Sequence, residues 1–463
     1  MSLIKSISGI RGTIGGREGE GLSPLDAVKF TASFVTFLKQ KKNGKKLTLV
    51  VGRDARISGE MVDSLVVGTL MGMGVDVIET GLSTTPTVEM TVIDHKADGG
   101  IIITASHNPM QWNALKLLNE KGEFIDAAEG NTVLRLAEEG ALDFAEVENL
   151  GHKTSYGNSI DDHVARVLAL PLVDADAIRK ADFRIAVDAV NSTGGIAIPK
   201  LLRALGVEQV VELNCEPTGR FAHNPEPLPE HLTEISEVVR NQKCDLGIVV
   251  DPDVDRLALV CEDGNMFGEE YTLVSVADYV LSHGAGNTVS NMSSTRALRD
   301  VTEKYGKSYS ASAVGEVNVV AKMKETGAVI GGEGNGGVIY PELHYGRDAL
   351  VGVALFLSSL AKKSCTASEL RKSFPNYVIS KNKIALTPEI DVDNVLKLMA
   401  EKYKTFDIST IDGVKINFAS EWVHLRKSNT EPIIRIYSES QTKEKADALA
   451  RKIMEEIKEC IKK

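Results

Sequence analysis

The sequence predicts three successive α/β domains followed by a smaller α+β domain. Two observations carry this: a strand–loop–helix–strand pattern recurs three times, and the chain changes character after about residue 370. A length of 463 residues suits several domains, each with a real core. The first copy begins at Leu47 (LTLVVGRDAR), runs through an apolar-periodic segment to Gly74-Val75, and ends in VDVIETG. The second begins at Phe183 (FRIAVDAVNSTGG), passes through IPKLLRALG and ends at VVELNCEPTG. The third begins near Asn287 (NTVSNMSST), continues through RALRDVTEKYG and ends at SYSASAVGE. In each copy a β-branched run yields to a polar or glycine-containing loop. A helix-period segment then stops at a glycine before the next strand. Such βαβ units imply sheets with parallel pairs, helices on both faces and ligand sites at the strands' C-terminal ends.

Beyond residue 370, VKINFA from Val414, WVHLR from Trp422 and IIRIYSES from Ile433 read as short strands with tight connections. A terminal helix follows, with Ala446, Leu449, Ala450, Ile453, Met454, Ile457 and Ile461 on one apolar face. The domains expected are therefore 1–153, 154–256, 257–368 and 369–463.

Composition narrows the function. Hydrophobic residues make up 43% and charged residues 25% of the chain, ordinary for a globular protein. A net charge of −11 leaves no basic excess to neutralise a nucleic-acid backbone, although a few positioned arginines can still grip a small phosphorylated ligand. Cys215, Cys244, Cys261, Cys365 and Cys460 are odd in number, widely spaced and without a CxxC pair, as expected of reduced thiols. The opening MSLIKSISGIRG lacks the apolar stretch of a signal peptide, and no apolar run approaches the roughly 20 residues that span a bilayer. A cytoplasmic protein is expected.

Five segments carry chemistry. In GGIIITASHNPMQWNALK, from Gly99 to Lys116, the apolar run Ile101–Ile103 reads as a buried strand entering a polar loop that Pro109 keeps from continuing the sheet. Ser106 thus stands where a parallel sheet presents its active site. A plain Ser/Asn/Pro turn is the alternative. The Ser106–His107 adjacency does not make a hydrolase dyad, because neighbours in extended chain point to opposite faces. In CDLGIVVDPDVDR, from Cys244 to Arg256, a buried strand ends in Asp251, Asp253 and Asp255. Three carboxylates held together repel and raise one another's pKa values, and a hard divalent ion relieves this. Oxygen-only ligands favour magnesium or calcium over zinc, and three aspartates leave magnesium room for water and one phosphate oxygen. A solvated acidic turn fits poorly after a buried strand.

AVIGGEGNGG, from Ala328 to Gly337, matches the dinucleotide fingerprint between Gly332 and Gly337, but it continues as VIYPEL and opens no helix. What remains is a glycine loop displaying Glu333 and Asn335, suited to sugar hydroxyls, or a simple hairpin. HLRKSNTEPIIR, from His424 to Arg435, crowds Arg426, Ser428, Asn429 and Thr430 into a loop between two strands, a phosphate grip or a surface turn. Near the start, SGIRGTIGG flanks Arg11 with glycines that let the backbone approach a ligand.

Together, TASHNP, DPDVDR, GEGNGG and RKSNTEP resemble, in order and across the chain, the α-D-phosphohexomutase family of phosphoglucomutases, phosphomannomutases and phosphoglucosamine mutases. The resemblance implies three similar mixed-sheet α/β domains plus a C-terminal α+β domain around a central cleft. It implies hexose 6-phosphate and hexose 1-phosphate as substrates, with a bisphosphosugar as primer and intermediate. Ser106 would carry the phosphate, and Asp251, Asp253 and Asp255 would hold Mg²⁺ with a phosphoserine oxygen. Arg11 and Lys116 would flank the transferring group, Glu333 and Asn335 would meet the sugar, and the Arg426–Thr430 loop would hold the other phosphate. Arg256 would add positive charge, which a phosphoserine of about −1.5 to −2 requires. Arg11 is expected to lower the pKa of Lys116 towards a useful range.

Many members of this family carry histidine where this chain has Gly337, so His107 or His344 is the expected alternative acid/base. The glycine-rich loop resembles archaeal-type members acting on glucosamine, glucose and mannose phosphates. The opening SGIRG departs from the GTDGVRG of bacterial phosphoglucosamine mutases. The expected partner is a phosphosugar, with no nucleic acid and no membrane, for a monomer or homodimer. Two rival readings are an aspartate-nucleophile phosphatase and a non-catalytic sugar-phosphate-binding protein. The first is suggested by IVVDPDVD, but Asp255 stands where that class has Thr or Val, and TASHNP stays unexplained.

Overall fold

The computed structural model describes residues 2–6, 9–284, 286–385, 390–427 and 433–461. Its first sheet contains β1 (Leu3–Ser6), β2 (Gly9–Thr13), β3 (Thr48–Arg53), β4 (Asp76–Leu82), β5 (Gly99–Ile103), β6 (Trp112–Leu118) and β7 (Lys153–Ser155), in the order β1-β2-β6-β5-β3-β4-β7. The strands from β5 to β7 in that order are parallel, and β6, β2 and β1 add antiparallel neighbours. Helices α1 (Pro24–Lys41), α2 (Gly59–Gly72), α3 (Thr85–Asp94) and α4 (Ala127–Glu139) accompany it. Period-2 alternation divides the core. Leu49, Val51, Ile101 and Ile103 join residues of α1 and α2 in one cluster, whereas Val50 and Ile102 join Val88 and Val92 of α3 in another. Both faces are therefore covered, as a βαβ pattern demands. α1 starts sharply because Ser23 caps it, Pro24 occupies its first turn and Asp26 completes a capping box.

The next helices and strands are α5 (Ser159–Leu168), α6 (Ala175–Ala181), β8 (Arg184–Asp188), α7 (Gly194–Ala204), β9 (Gln209–Leu213), α8 (Thr233–Asn241), β10 (Leu246–Val250) and β11 (Leu257–Cys261). Their sheet has the order β11-β10-β8-β9, parallel except for the β10–β11 pair. The boundary expected at 256 falls inside this pair. Residues 251–256 are the tight connection between two antiparallel neighbours, so the second sheet runs on to Cys261.

α9 (Glu269–His283), β12 (Asn287–Asn291), α10 (Ala297–Lys304), β13 (Tyr309–Ser312), α11 (Glu316–Thr326), β14 (Ala328–Glu333), β15 (Gly337–Ile339), α12 (Ala349–Lys363) and α13 (Ala367–Lys372) follow. β12 lies between β13 and β14 and is parallel to both. The three repeats expected from sequence are thus β3–α2–β4, β8–α7–β9 and β12–α10–β13, each with its strands parallel and adjacent.

The last region holds β16 (Val378–Ala385), α14 (Val392–Lys402), β17 (Asp407–Ser409), β18 (Val414–Asn417), β19 (Trp422–Lys427), β20 (Ile433–Ser440) and α15 (Lys443–Ile461). Its sheet, β16-β20-β19-β18-β17, is antiparallel throughout. Leu449, Ile453 and Ile457 of α15 pack with Val395 and Met399 of α14 onto Ile416, Val423, Leu425, Ile434 and Ile436. This is the predicted α+β domain.

The chain divides into two compact units: residues 1–272 with 335–371, and residues 273–334 with 372–463. Among the described residues, no helix is long and apolar enough to cross a membrane.

Candidate active site

Within the first unit, the site is assembled from loops at strand ends. β5 emerges beside β3, with Arg53 opposite Ile103 in the parallel register. Thr104 and Asp54 then face one another: Thr104 Oγ1 donates to Asp54 Oδ2 (2.7 Å) and accepts from Ser106 N (2.9 Å). Ser106 itself has a positive φ of 48°, a conformation that costs a non-glycine residue free energy and persists only when its surroundings enforce it. Arg56 supplies that enforcement. Its buried guanidinium donates to the carbonyls of Pro109 (2.8 Å), Trp112 (3.0 Å), Asn108 (2.8 Å) and Ser106, while Nε donates to Asp54 Oδ2 (3.0 Å). One planar fork therefore fixes both ends of the serine loop.

β10 delivers the aspartates. Its end is gripped by three neighbours within the same unit. Thr85, at the start of α3, donates its N–H to Asp253 O (2.9 Å) and its Oγ1 to Asp253 Oδ2 (2.6 Å). Ser192 and Thr193, after β8, donate their hydroxyls to Pro252 O at 2.7 and 2.9 Å. Ala349, opening α12, donates its N–H to Val254 O (3.1 Å). The result brings Ser106 and the acidic triplet together: Ser106 Oγ donates to Asp251 Oδ2 at 2.8 Å. Carboxylate oxygens of Asp251, Asp253 and Asp255 lie within 4.8 Å of one another, and all three residues are fully buried.

Cations answer this buried charge. Lys116 Nζ, on β6, donates to Asp253 Oδ2 (2.7 Å) and lies 3.7 Å from Asp255 Oδ2. Arg347 donates to Asp255 Oδ2 at 2.6 Å. Arg256 donates its backbone N–H to Asp251 Oδ1 (3.1 Å), and its Nε lies 4.0 Å from Asp255 Oδ1. Arg11 pairs in register with Ala114 of β6, so its side chain shares a sheet face with that of Lys116. Burial, reinforced by Asp255 and Asp253, pushes the Asp251 carboxyl well above its ordinary pKa. Burial also works against ionised Asp253, but the Lys116 ammonium outweighs it and holds that carboxyl below the usual range. Burial, with Arg256 next in weight and Arg347 and Arg11 adding to it, pushes His107 well below its ordinary value, so its ring is neutral at neutral pH.

The expectation for Lys116 is overturned. Burial does disfavour its charge, yet Asp253 and Asp255 outweigh burial and raise its pKa above that of an ordinary lysine. The nearest charges are carboxylates, not Arg11.

The donor set suits a hard divalent cation. Asp253 Oδ1 and Asp255 Oδ1 are buried without a hydrogen-bond partner among the described residues, which leaves acceptor capacity turned inward. All candidate ligand atoms are oxygens.

Family models match along the chain. Those for phosphoglucomutase/phosphomannomutase alpha/beta/alpha domains I, II and III match residues 3–143, 161–264 and 268–377, and the model for the C-terminal domain matches residues 383–456. The chain belongs to the phosphoglucomutase/phosphomannomutase family. A phosphoglucomutase/phosphomannomutase of Thermococcus kodakarensis is 36% identical over 94% of this chain and 95% of its own. A phosphoglucosamine/phosphogalactosamine mutase of Sulfurisphaera tokodaii is 32% identical over 100% and 99%. A crystal structure of a phosphoglucomutase/phosphomannomutase family protein from Burkholderia thailandensis superposes with a TM-score of 0.83 at 25% identity, covering 99% of this chain and 98% of that one. The chain is a hexose-phosphate mutase, an isomerase.

The other expected residues of this mutase are distributed as follows. Asn335, in the first unit, accepts from Gly337 N at 3.2 Å. Gly336, at φ 86°, accepts at its carbonyl oxygen from Leu257 N (3.0 Å), and a Cβ there would meet Leu257 O at 2.3 Å. A Cβ at Gly337 would meet Arg347 Cδ at 2.4 Å, so the missing side chain leaves Arg347 its path to Asp255. His344 is engaged elsewhere, between Glu89 and Asp348. In the second unit, Glu333 Oε1 accepts from Asn291 Nδ2 (2.8 Å) and Gly315 N (3.1 Å), and Arg426 Nε lies 2.8 Å from Asp412 Oδ2. Ser428, Asn429 and Thr430 lie outside the described residues.

Sequence reasoning missed Arg56, Thr85 and Arg347. The only available signal for Arg56 was its place in GRDAR at a strand's C-terminal end. Arg56→Met should lower stability by about 3–5 kcal/mol, the usual consequence of removing one partner of a buried pair. It should also depress turnover strongly. Arg56→Lys should restore little, since an ammonium cannot span four carbonyls. Thermal unfolding and steady-state kinetics check both variants.

Proposed function

We propose that this mutase carries the migrating phosphoryl group on Ser106 and interconverts hexose 6-phosphates and hexose 1-phosphates through a bisphosphosugar. The hydrogen bond from Ser106 Oγ to Asp251 carries the reading, because it sets a lone hydroxyl against a buried acidic triplet. Asp251, Asp253 and Asp255 would hold Mg²⁺ together with an oxygen of phosphorylated Ser106. When bound, the ion would supply positive charge against the transferring phosphoryl oxygens.

The chain's own groups do the rest. The left-handed Ser106 loop, fixed by Arg56, presents Oγ in one position, and phosphoryl transfer depends chiefly on such positioning and on charge stabilisation. Lys116, held cationic by Asp253, together with Arg11, Arg256 and Arg347, supplies charge for the phosphoryl oxygens. Ser106 gives its phosphate to the free hydroxyl of a hexose monophosphate. The bisphosphosugar then presents its other phosphate and returns it to Ser106. Glu333 and Asn335 would accept from sugar hydroxyls, and Arg426 with Ser428, Asn429 and Thr430 would hold the phosphate that is not reacting. Neutral His107 is the group we assign to exchange a proton with the attacking hydroxyl, since Lys116 is committed to Asp253.

Ser106→Ala should abolish interconversion of glucose, mannose and glucosamine 6- and 1-phosphates in a coupled assay, while circular dichroism and melting temperature stay near those of the parent. Asp253→Asn should weaken magnesium binding, measured by calorimetry, and turnover together; loss of one without the other contradicts the shared site. Arg426→Ala should mainly raise KM, by about 1.5–3 kcal/mol if one charge-assisted hydrogen bond is lost.

A further inference from the structure

A second group of ligating side chains is buried in the first unit, and the transfer chemistry uses none of it. His163, on α5, and His344 and Asp348, ahead of α12, come from distant parts of the sequence and meet at one point. Asp348 Oδ2 lies 2.9 Å from His163 Nε2 and 3.3 Å from His344 Nε2. One ligand atom from each residue falls within 4.8 Å of the others. All three are buried, and none is an aspartate of the triplet.

We propose that His163, His344 and Asp348 bind one divalent transition metal of the zinc class, as a structural site separate from the aspartate triplet. The donor set is the first reason. Two imidazoles and one carboxylate favour zinc-type ions, whereas the all-oxygen triplet favours magnesium.

The surroundings of the rings are the second reason. His344 has a carboxylate at each ring nitrogen, Glu89 Oε2 at 3.3 Å from Nδ1 and Asp348 Oδ2 at 3.3 Å from Nε2. A neutral imidazole has one N–H and satisfies one side only, leaving a lone pair aimed at the other carboxylate. A metal at Nε2 resolves the conflict, because Nδ1–H then donates to Glu89. His163 is oriented too: its Nδ1 lies 2.9 Å from the Thr87 hydroxyl, which holds the ring with Nε2 facing the shared point. Asp348 completes the set, since Oδ1 accepts from Leu350 N (2.8 Å) and Val351 N (3.4 Å) and leaves Oδ2 for the metal. Outer partners that orient each ligand in this way are the usual companions of a metal site.

The placement has a structural purpose. Asp348 adjoins Arg347, whose guanidinium bonds Asp255, so the ion would pin α3, α5 and the start of α12 around the arm that reaches the triplet.

Metal content tests the proposal on the full-length enzyme. The protein is incubated with zinc, dialysed against excess magnesium and measured by mass spectrometry of its metals. The same protein, stripped with chelator and loaded with cobalt(II), is read by visible absorption and by X-ray absorption for imidazole scattering. Zinc should be retained at about one equivalent per chain in the parent and in Asp253→Asn, and should fall at least about tenfold in His163→Gln. Cobalt should give d–d bands with two imidazoles in the ligand shell. Absence of retained zinc and of cobalt bands in the parent would overturn the proposal and leave these residues a buried hydrogen-bonded network. Zinc lost from Asp253→Asn but kept by His163→Gln would place the ion at the triplet and overturn it equally. The cobalt measurement needs only the parent protein, so poor folding of a variant does not blunt the test.

Discussion

Three carboxyl groups withdrawn from water within five residues are the constraint around which the first unit is built. An isolated buried carboxylate is costly, and three together repel one another as well. The fold answers from three sides. β6 contributes Lys116, the segment before α12 contributes Arg347, and the loop's own backbone turns Arg256 N–H onto Asp251. Thr85, Ser192, Thr193 and Ala349 then fasten the loop itself. These anchors come from each of the three α/β regions of the chain. The acidic loop is therefore a structural junction as well as a site, because the groups that neutralise it also tie its neighbours in place.

The same constraint decides what the cations can do. A lysine hydrogen-bonded to a buried carboxylate holds its proton more firmly, and Asp253 and Asp255 raise the pKa of Lys116 above that of an ordinary lysine. Charge held in place before the reaction needs no reorganisation when a phosphoryl group arrives. Arg56 acts one step back. It touches no aspartate of the triplet, yet by collecting four carbonyls it determines where Ser106 Oγ points. Gly337 and Arg347 show the same economy of space: the absence of a side chain at one position gives the other its route to Asp255.

Much of this architecture was legible in the sequence, for identifiable reasons. The three βαβ units announced themselves through strand runs, helix periodicity and terminal glycines, all of which are local properties. The triplet was legible because alternate aspartates after a β-branched strand have few other uses, and the serine loop because Pro109 stops the strand from continuing. Arg56 and Arg347 were hidden. Their meaning lies in contacts with residues 50 or more positions away along the chain, and an arginine beside an aspartate in sequence reads as a solvated pair. The Lys116 expectation failed for the same reason. Its pKa depends on which charges lie nearest, and the sequence showed Arg11 and Lys116 in one family pattern without showing Asp253 Oδ2 2.7 Å from the ammonium. The domain edge expected at 256 falls within a sheet because the acidic loop is the turn between two paired strands, a pairing that the run of aspartates does not reveal.

In the proposed mechanism Ser106, and no carboxylate, bears the phosphate. The direct measurement is to incubate the enzyme with a hexose 1,6-bisphosphate, digest it in acid and locate the phosphorylated peptide by mass spectrometry. One acid-stable phosphate is expected on the peptide that contains TASHNP. An acid-labile phosphate on Asp251, or none on either segment, would contradict it.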